Sequence, residues 1–76
     1  MENAQTKSIE IVVNGQSRLI PENSNVTALL HSLEIEPSRV AVELNRQIVR
    51  KPDWESTRLD EGARVEIVWF VGGGSI

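Results

Sequence analysis

Asn14-Gly15 commits the beginning of this chain to a β-hairpin. Both central residues of a type I′ turn need φ > 0, and this turn carries the twist that paired strands require. Before it, Ile9, Ile11 and Val13 alternate with Glu10 and Val12, the period of a half-buried strand. After it, residues 17–20 form the returning strand.

The pattern then changes period. Residues 21–25 read as a turn in which Ser24 or Asn25 can cap a helix. Val26, Leu29, Leu30 and Leu33 give that helix one apolar stripe, and Pro37 is expected to end it. Val40, Val42 and Leu44 alternate with Ala41 and Glu43 as a third strand. Asn45-Arg46 reads as a tight turn, although arginine is poor chemistry for φ > 0, and residues 47–49 as a fourth strand. A short helical turn is expected over residues 52–57 with Asp53 as its cap, then a buried Leu59, a turn at Asp60-Glu61-Gly62 and a strongly apolar last strand over residues 64–71. The order β-β-α-β-β-β predicts an α+β chain of β-grasp (ubiquitin-like) type: a mixed sheet of four or five strands with one helix packed on one face. The first and last strands are apolar enough to be central, hence parallel neighbours. The expected core includes Ile9, Ile11, Leu29, Leu30, Leu33, Val42, Leu44, Val65 and Ile67. The divisions are a disordered N-terminus over residues 1–7, the β-grasp domain over 8–71 and a flexible glycine-rich tail over 72–76.

Composition removes whole classes of function. Seventy-six residues make one domain that buries only roughly 60% of its unfolded surface, too little for a large internal pocket. Without cysteine there is no disulfide framework, thiol nucleophile or Cys-based zinc site; His31 is the only histidine. A net charge of −3 argues against a nucleic-acid partner, and Arg46, Arg50 and Lys51 read as a solvated edge. The chain has neither the apolar core of a signal peptide nor a run of transmembrane length, so a cytoplasmic, membrane-free monomer is expected.

The last strand runs directly into Gly72-Gly73-Gly74-Ser75-Ile76. A glycine run of this kind also reads as a linker. Its place directly after a β-grasp, together with Val40-Ala41-Val42-Glu43-Leu44-Asn45, Ile48-Val49-Arg50, Trp54, Leu59, Gly62 and the run from Val65 through Trp69-Phe70-Val71 into the glycines, resembles the ThiS-type sulfur carriers of the thiamine pathway. The resemblance covers about residues 8–74 and is most specific where the last strand runs into Val-Gly-Gly-Gly.

That resemblance implies a protein that is not itself an enzyme. It binds no cofactor; ATP is consumed by an E1-like adenylating partner that activates the C-terminal glycine carboxylate, placing sulfur attachment at Gly74. A sulfurtransferase or cysteine desulfurase would supply a persulfide, and thiazole synthase would take the sulfur from the resulting thiocarboxylate. Gly72 and Gly73 would thread the tail into two active sites, since glycine has no side chain to clash. Five extended residues reach roughly 17 Å.

The chain departs from the family pattern at three places. Arg46 sits where the family often has glycine after the asparagine, and Ala63 where it often has aspartate after Gly62. Ser75 and Ile76 extend the chain about 7 Å past the diglycine at which the family usually stops. A protease removes them, or they are an appended remnant, or the chain is not a conventional carrier. Competing readings are a molybdopterin-type sulfur carrier, which usually reaches its diglycine through a proline-containing segment absent here, a ubiquitin-like protein modifier, and a non-catalytic β-grasp binding module.

Among other residues, His31 reads as solvated and Trp54 as a lid over the core. Glu34, Glu36, Asp53, Glu55, Asp60 and Glu61 are scattered through turns without the spacing of metal ligands, so no metal site is expected. In the last strand Val65, Ile67 and Trp69 are expected to face the helix. Val68 and Phe70 then face outward beside Val12, on a side that should be polar in an isolated monomer, and this trio is the expected partner-docking patch.

Overall fold

The computed structural model describes residues 7–71. Expectations for residues 1–6 and for Gly72, Gly73, Gly74, Ser75 and Ile76 lie outside the described residues. The elements are β1 (Ser8–Val13), β2 (Gln16–Pro21), α1 (Val26–Ser32), β3 (Val40–Leu44), β4 (Gln47–Val49) and β5 (Arg64–Trp69), with single 3-10 turns at Pro37–Arg39 and Lys51–Asp53. They build one mixed sheet of order β2-β1-β5-β3-β4, with β1 and β5 parallel and the other pairs antiparallel. This is the β-grasp arrangement the element order predicts, and β5 is its central strand.

Turn chemistry sets the register. Asn14 and Gly15 adopt φ of 49° and 84°, so the hairpin closes on the pair Val13↔Gln16. Asn45 and Arg46 adopt 51° and 73°, and the same two-residue connection pairs Leu44 with Gln47 despite the arginine. The Asn45 side chain assists by accepting a hydrogen bond from the Arg64 amide at 3.0 Å.

Asn25 is the helix cap: its Oδ1 accepts the Ala28 N–H at 2.7 Å. Pro37 does not end the helix, which stops at Ser32. Glu34 takes the left-handed conformation, φ 58°, donating its N–H to the His31 carbonyl at 3.0 Å, while Ile35 donates to Leu30 at 3.0 Å. These two bonds are a Schellman stop with glutamate where glycine is usual. Pro37 instead starts the 3-10 turn that leads into β3.

Two further expectations are corrected. Asp53 does not cap a helix; it lies at the end of its 3-10 turn, where its main-chain carbonyl accepts the hydroxyls of Ser56 and Thr57 at 3.1 and 2.7 Å. Lys7, expected in the disordered N-terminus, accepts the Glu22 amide at 2.7 Å and so extends the hairpin's pairing.

The core lies between α1 and one face of the sheet. Ile11, Leu29, Leu30, Val42, Val65 and Ile67 are buried as expected; Ile9, Leu33 and Leu44 sit at element ends and are only partly buried. Val13, Ile20, Val26, Val40, Trp54, Leu59 and Ala63 complete it. Trp54 is a lid in the sense expected, buried, with Nε1 donating to the Val49 carbonyl at 2.7 Å and the Lys51 ammonium 5.7 Å from its ring.

Candidate functional site: the two faces at the end of β5

Alternation along β5 sends Val65 and Ile67 into the core and leaves Arg64, Glu66 and Val68 on the opposite face. Val68 is 53% exposed and Phe70, just beyond the strand, 63%. For apolar side chains on a central strand this is unusual, because no second layer covers the outer face. Ala41 pairs with Val68 across β3, and Ile48 on β4, 68% exposed, lies one diagonal step from Ala41. The apolar strip therefore runs Ile48, Ala41, Val68, Phe70.

Val12 does not join that strip. It shares the outer face but pairs with Arg64, four residues up β5 from Val68, and is half-buried. The parallel register separates them, because β1 turns away at Asn14 before reaching the level of Val68. Conversely, the β3–β4 turn brings in Ile48, which is not in the expected trio. Its signal lies in the turn: a two-residue connection at Asn45-Arg46 pairs residue 43 with residue 48, which puts Ile48 on the face of Glu43. Above the strip, Glu43 and Glu66 stand directly opposite each other, a like-charge pair that disfavours the free sheet and favours a cationic group beside it.

The helix-side face is different. Trp69 continues the alternation of Val65 and Ile67 but is half-exposed rather than buried. A helix of seven residues extends about 10 Å, and it ends too soon to cover the last residue of β5. The result is an open cleft of about 270 Å³ lined by Asn14, Arg18, Leu33, Ile35, Ile67 and Trp69, among others. His31 is exposed on the last turn of α1 and does not line this cleft.

β5 is held on both edges, on the β3 side to its end and on the β1 side as far as Ile67. On one, the Phe70 amide donates to the Arg39 carbonyl at 2.9 Å. On the other, the Ile67 N–H donates to Asn14 Oδ1 at 2.7 Å, and Asn14 Nδ2 donates back to the Ile67 carbonyl at 3.3 Å. Val71 then leaves the sheet, exposed to solvent. Among the described residues no group of His, Asp and Glu side chains comes together as a metal site, and no helix is long and apolar enough to cross a membrane.

Comparisons with known proteins bear on the whole span. The model of the ThiS family matches residues 3–74. The crystal structure of a thiamine biosynthesis protein (ThiS) from Geobacter metallireducens superposes with a TM-score of 0.78 at 33% identity, covering 87% of this chain and 100% of that one. A protein named thiazole synthase from Paramagnetospirillum magneticum is 39% identical over 67 residues, 88% of this chain but only 21% of its own length. The uncharacterized protein ycf40 of Porphyra purpurea is 32% identical over 68 residues, 90% of this chain and 96% of its own.

Proposed function

Because this chain belongs to the ThiS family, we propose that it is a sulfur carrier of thiamine biosynthesis whose reacting group is the main-chain carboxylate of Gly74. The carrying observation is the family match itself, which runs through the glycines to residue 74. Ser75 and Ile76 lie beyond what the family shares.

The chemistry requires little of the body and much of the tail. A carboxylate is a poor electrophile. On the adenylating enzyme the Gly74 carboxylate attacks the α-phosphorus of ATP and expels pyrophosphate, which installs AMP as a leaving group. A persulfide of the sulfurtransferase or cysteine desulfurase attacks the acyl carbon and expels AMP; a second thiol then cleaves the S–S bond, leaving the thiocarboxylate. Cysteine on the carrier is unnecessary, because sulfur rides on the main chain. The globular part docks and aims. Exposed Val68 and Phe70, with Ala41 and Ile48 beside them, are the apolar contact, and the Glu43–Glu66 pair favours a basic group on the partner.

Thiazole synthase as recipient has specific support. The similar stretch in the proteins of that name makes up about a fifth of their length, so in them a domain like this one is joined to the rest in one polypeptide. Covalent joining raises effective concentration and is of use when the two parts must meet.

The test is mass spectrometry of a chain ending at Gly74, incubated with the adenylating enzyme, ATP and a persulfide donor. Among the described residues the buried core lies between Ile11 and Ile67, and this shortening removes none of it. A gain equal to the difference between sulfur and oxygen supports the carrier reading. A gain of a whole protein indicates a modifier instead, and no change indicates a binding module.

A further inference from the structure

In the β1–β5 ladder the carbonyls of Ala63 and Val65 accept the amides of Val12 and Asn14, each at 2.9 Å. The two-residue step of a parallel ladder next reaches Ile67, whose N–H would look for a carbonyl on β1. By then the main chain has turned away, because Asn14 opens the hairpin with φ 49°. Its side chain takes over: Oδ1 accepts the Ile67 N–H at 2.7 Å and Nδ2 donates to the Ile67 carbonyl at 3.3 Å. The primary amide stands in for one more peptide unit of β1. Few residues both tolerate left-handed φ and carry a donor and an acceptor on so short a side chain.

We propose that Asn14 is a positioning residue for the chain end: its amide bridge holds β5 at Ile67 from the β1 side, so that Val71 leaves the sheet in one direction. This rests on the carrier reading above. Ile67 is four residues before Val71, and without the bridge β5 would be held over this stretch only from the β3 side, where Val40 pairs with Trp69 and Arg39 receives the Phe70 amide. A strand held on one edge can pivot about that edge. Such a pivot would shift Val71, and reaction at a carboxylate a few residues further on demands near-attack geometry.

The experiment compares Asn14→Gly and Asn14→Asp with the unchanged chain. Glycine accepts the same φ, so the turn survives while the bridge is lost. Aspartate keeps the acceptor for the Ile67 N–H but not the donor to its carbonyl. Amide hydrogen exchange of the full chain is the first readout. Exchange at Ile67 is expected to rise about tenfold or more in Asn14→Gly, beyond any change at Val12 and Leu29, while the urea midpoint falls modestly with the added glycine; Asn14→Asp should fall between. The second readout is ATP–pyrophosphate exchange by the adenylating enzyme with chains ending at Gly74. The kcat for Asn14→Gly is expected to fall about tenfold, with a smaller change in KM and partial rescue in Asn14→Asp. Unchanged Ile67 exchange, or an unchanged kcat where the parent chain is a good substrate, overturns the proposal. If the parent ending at Gly74 is not adenylated at all, the carrier reading has failed, and the positioning role falls with it.

Discussion

Glu34→Gly should stabilise this protein, although it removes a charged side chain and adds a glycine. Glu34 holds φ 58° as the residue just past the helix cap, where its N–H and that of Ile35 satisfy the carbonyls of His31 and Leu30. Holding a residue with a Cβ in the left-handed region costs about 1–2 kcal/mol. Glycine removes that strain but adds back about 0.5–1 kcal/mol through the larger entropy of its unfolded state. The Glu34 side chain is exposed, so little packing is lost with it. Midway through both ranges, the balance is a gain of about 0.5–1 kcal/mol. With a urea slope of about 1 kcal/mol/M for a chain this small, the midpoint should move up by about 0.5–1 M at constant slope. The corresponding rise in Tm is about 2–8 °C. Glu34→Ala is the control: it shortens the side chain but keeps the Cβ, and should not stabilise. Should Glu34→Gly lower the midpoint, or Glu34→Ala raise it equally, the strain at this position is not what limits the helix end.

Leu30→Ala should lose about 2–5 kcal/mol, since Leu30 is 1% exposed in a thin core; equilibrium urea unfolding measures it. Trp54→Phe keeps most of the lid but leaves the Val49 carbonyl without its 2.7 Å donor, and should cost about 1–3 kcal/mol by the same assay. Phe70→Glu and Ile48→Glu should leave the unfolding midpoint nearly unchanged yet weaken capture of the adenylating enzyme or thiazole synthase in titration calorimetry; wild-type affinity in both variants would remove the outer strip from the docking surface. In side-by-side ATP–pyrophosphate exchange, the chain ending at Gly74 should be adenylated and the chain ending at Ile76 should not, because two further residues overshoot the reacting position by about 7 Å. Gly73→Ala in the shorter form should slow sulfur transfer without shifting the urea midpoint.

The architecture was legible because its determinants are local. Asn14-Gly15 imposes a two-residue hairpin from its own chemistry, Asn45-Arg46 closes a second despite the arginine, and the change from period two to the stripe of Val26, Leu29 and Leu30 marks the helix among strands. The apolar first and last strands pointed to a parallel central pair, and they are one, although the outer-facing Val68 stays exposed. The family was likewise readable from the glycines and the residues before them, and its model matches through residue 74. Other features arise between elements distant in sequence. The helix stop at Glu34 was hidden because glutamate gives no sign of a left-handed cap, whereas Pro37 gives a strong and misleading one. Trp69 keeps the facing its alternation predicts, yet stands open to solvent because α1 is too short to reach it. Val12 parts from Val68, and Ile48 approaches it through Ala41, by the relative stagger of three strands, which no single strand encodes. The bridge from Asn14 to Ile67 spans 53 positions and depends on β1 ending one residue too early. The asparagine that the sequence presents as a turn former is, in the folded sheet, also the last rung of the ladder between β1 and β5.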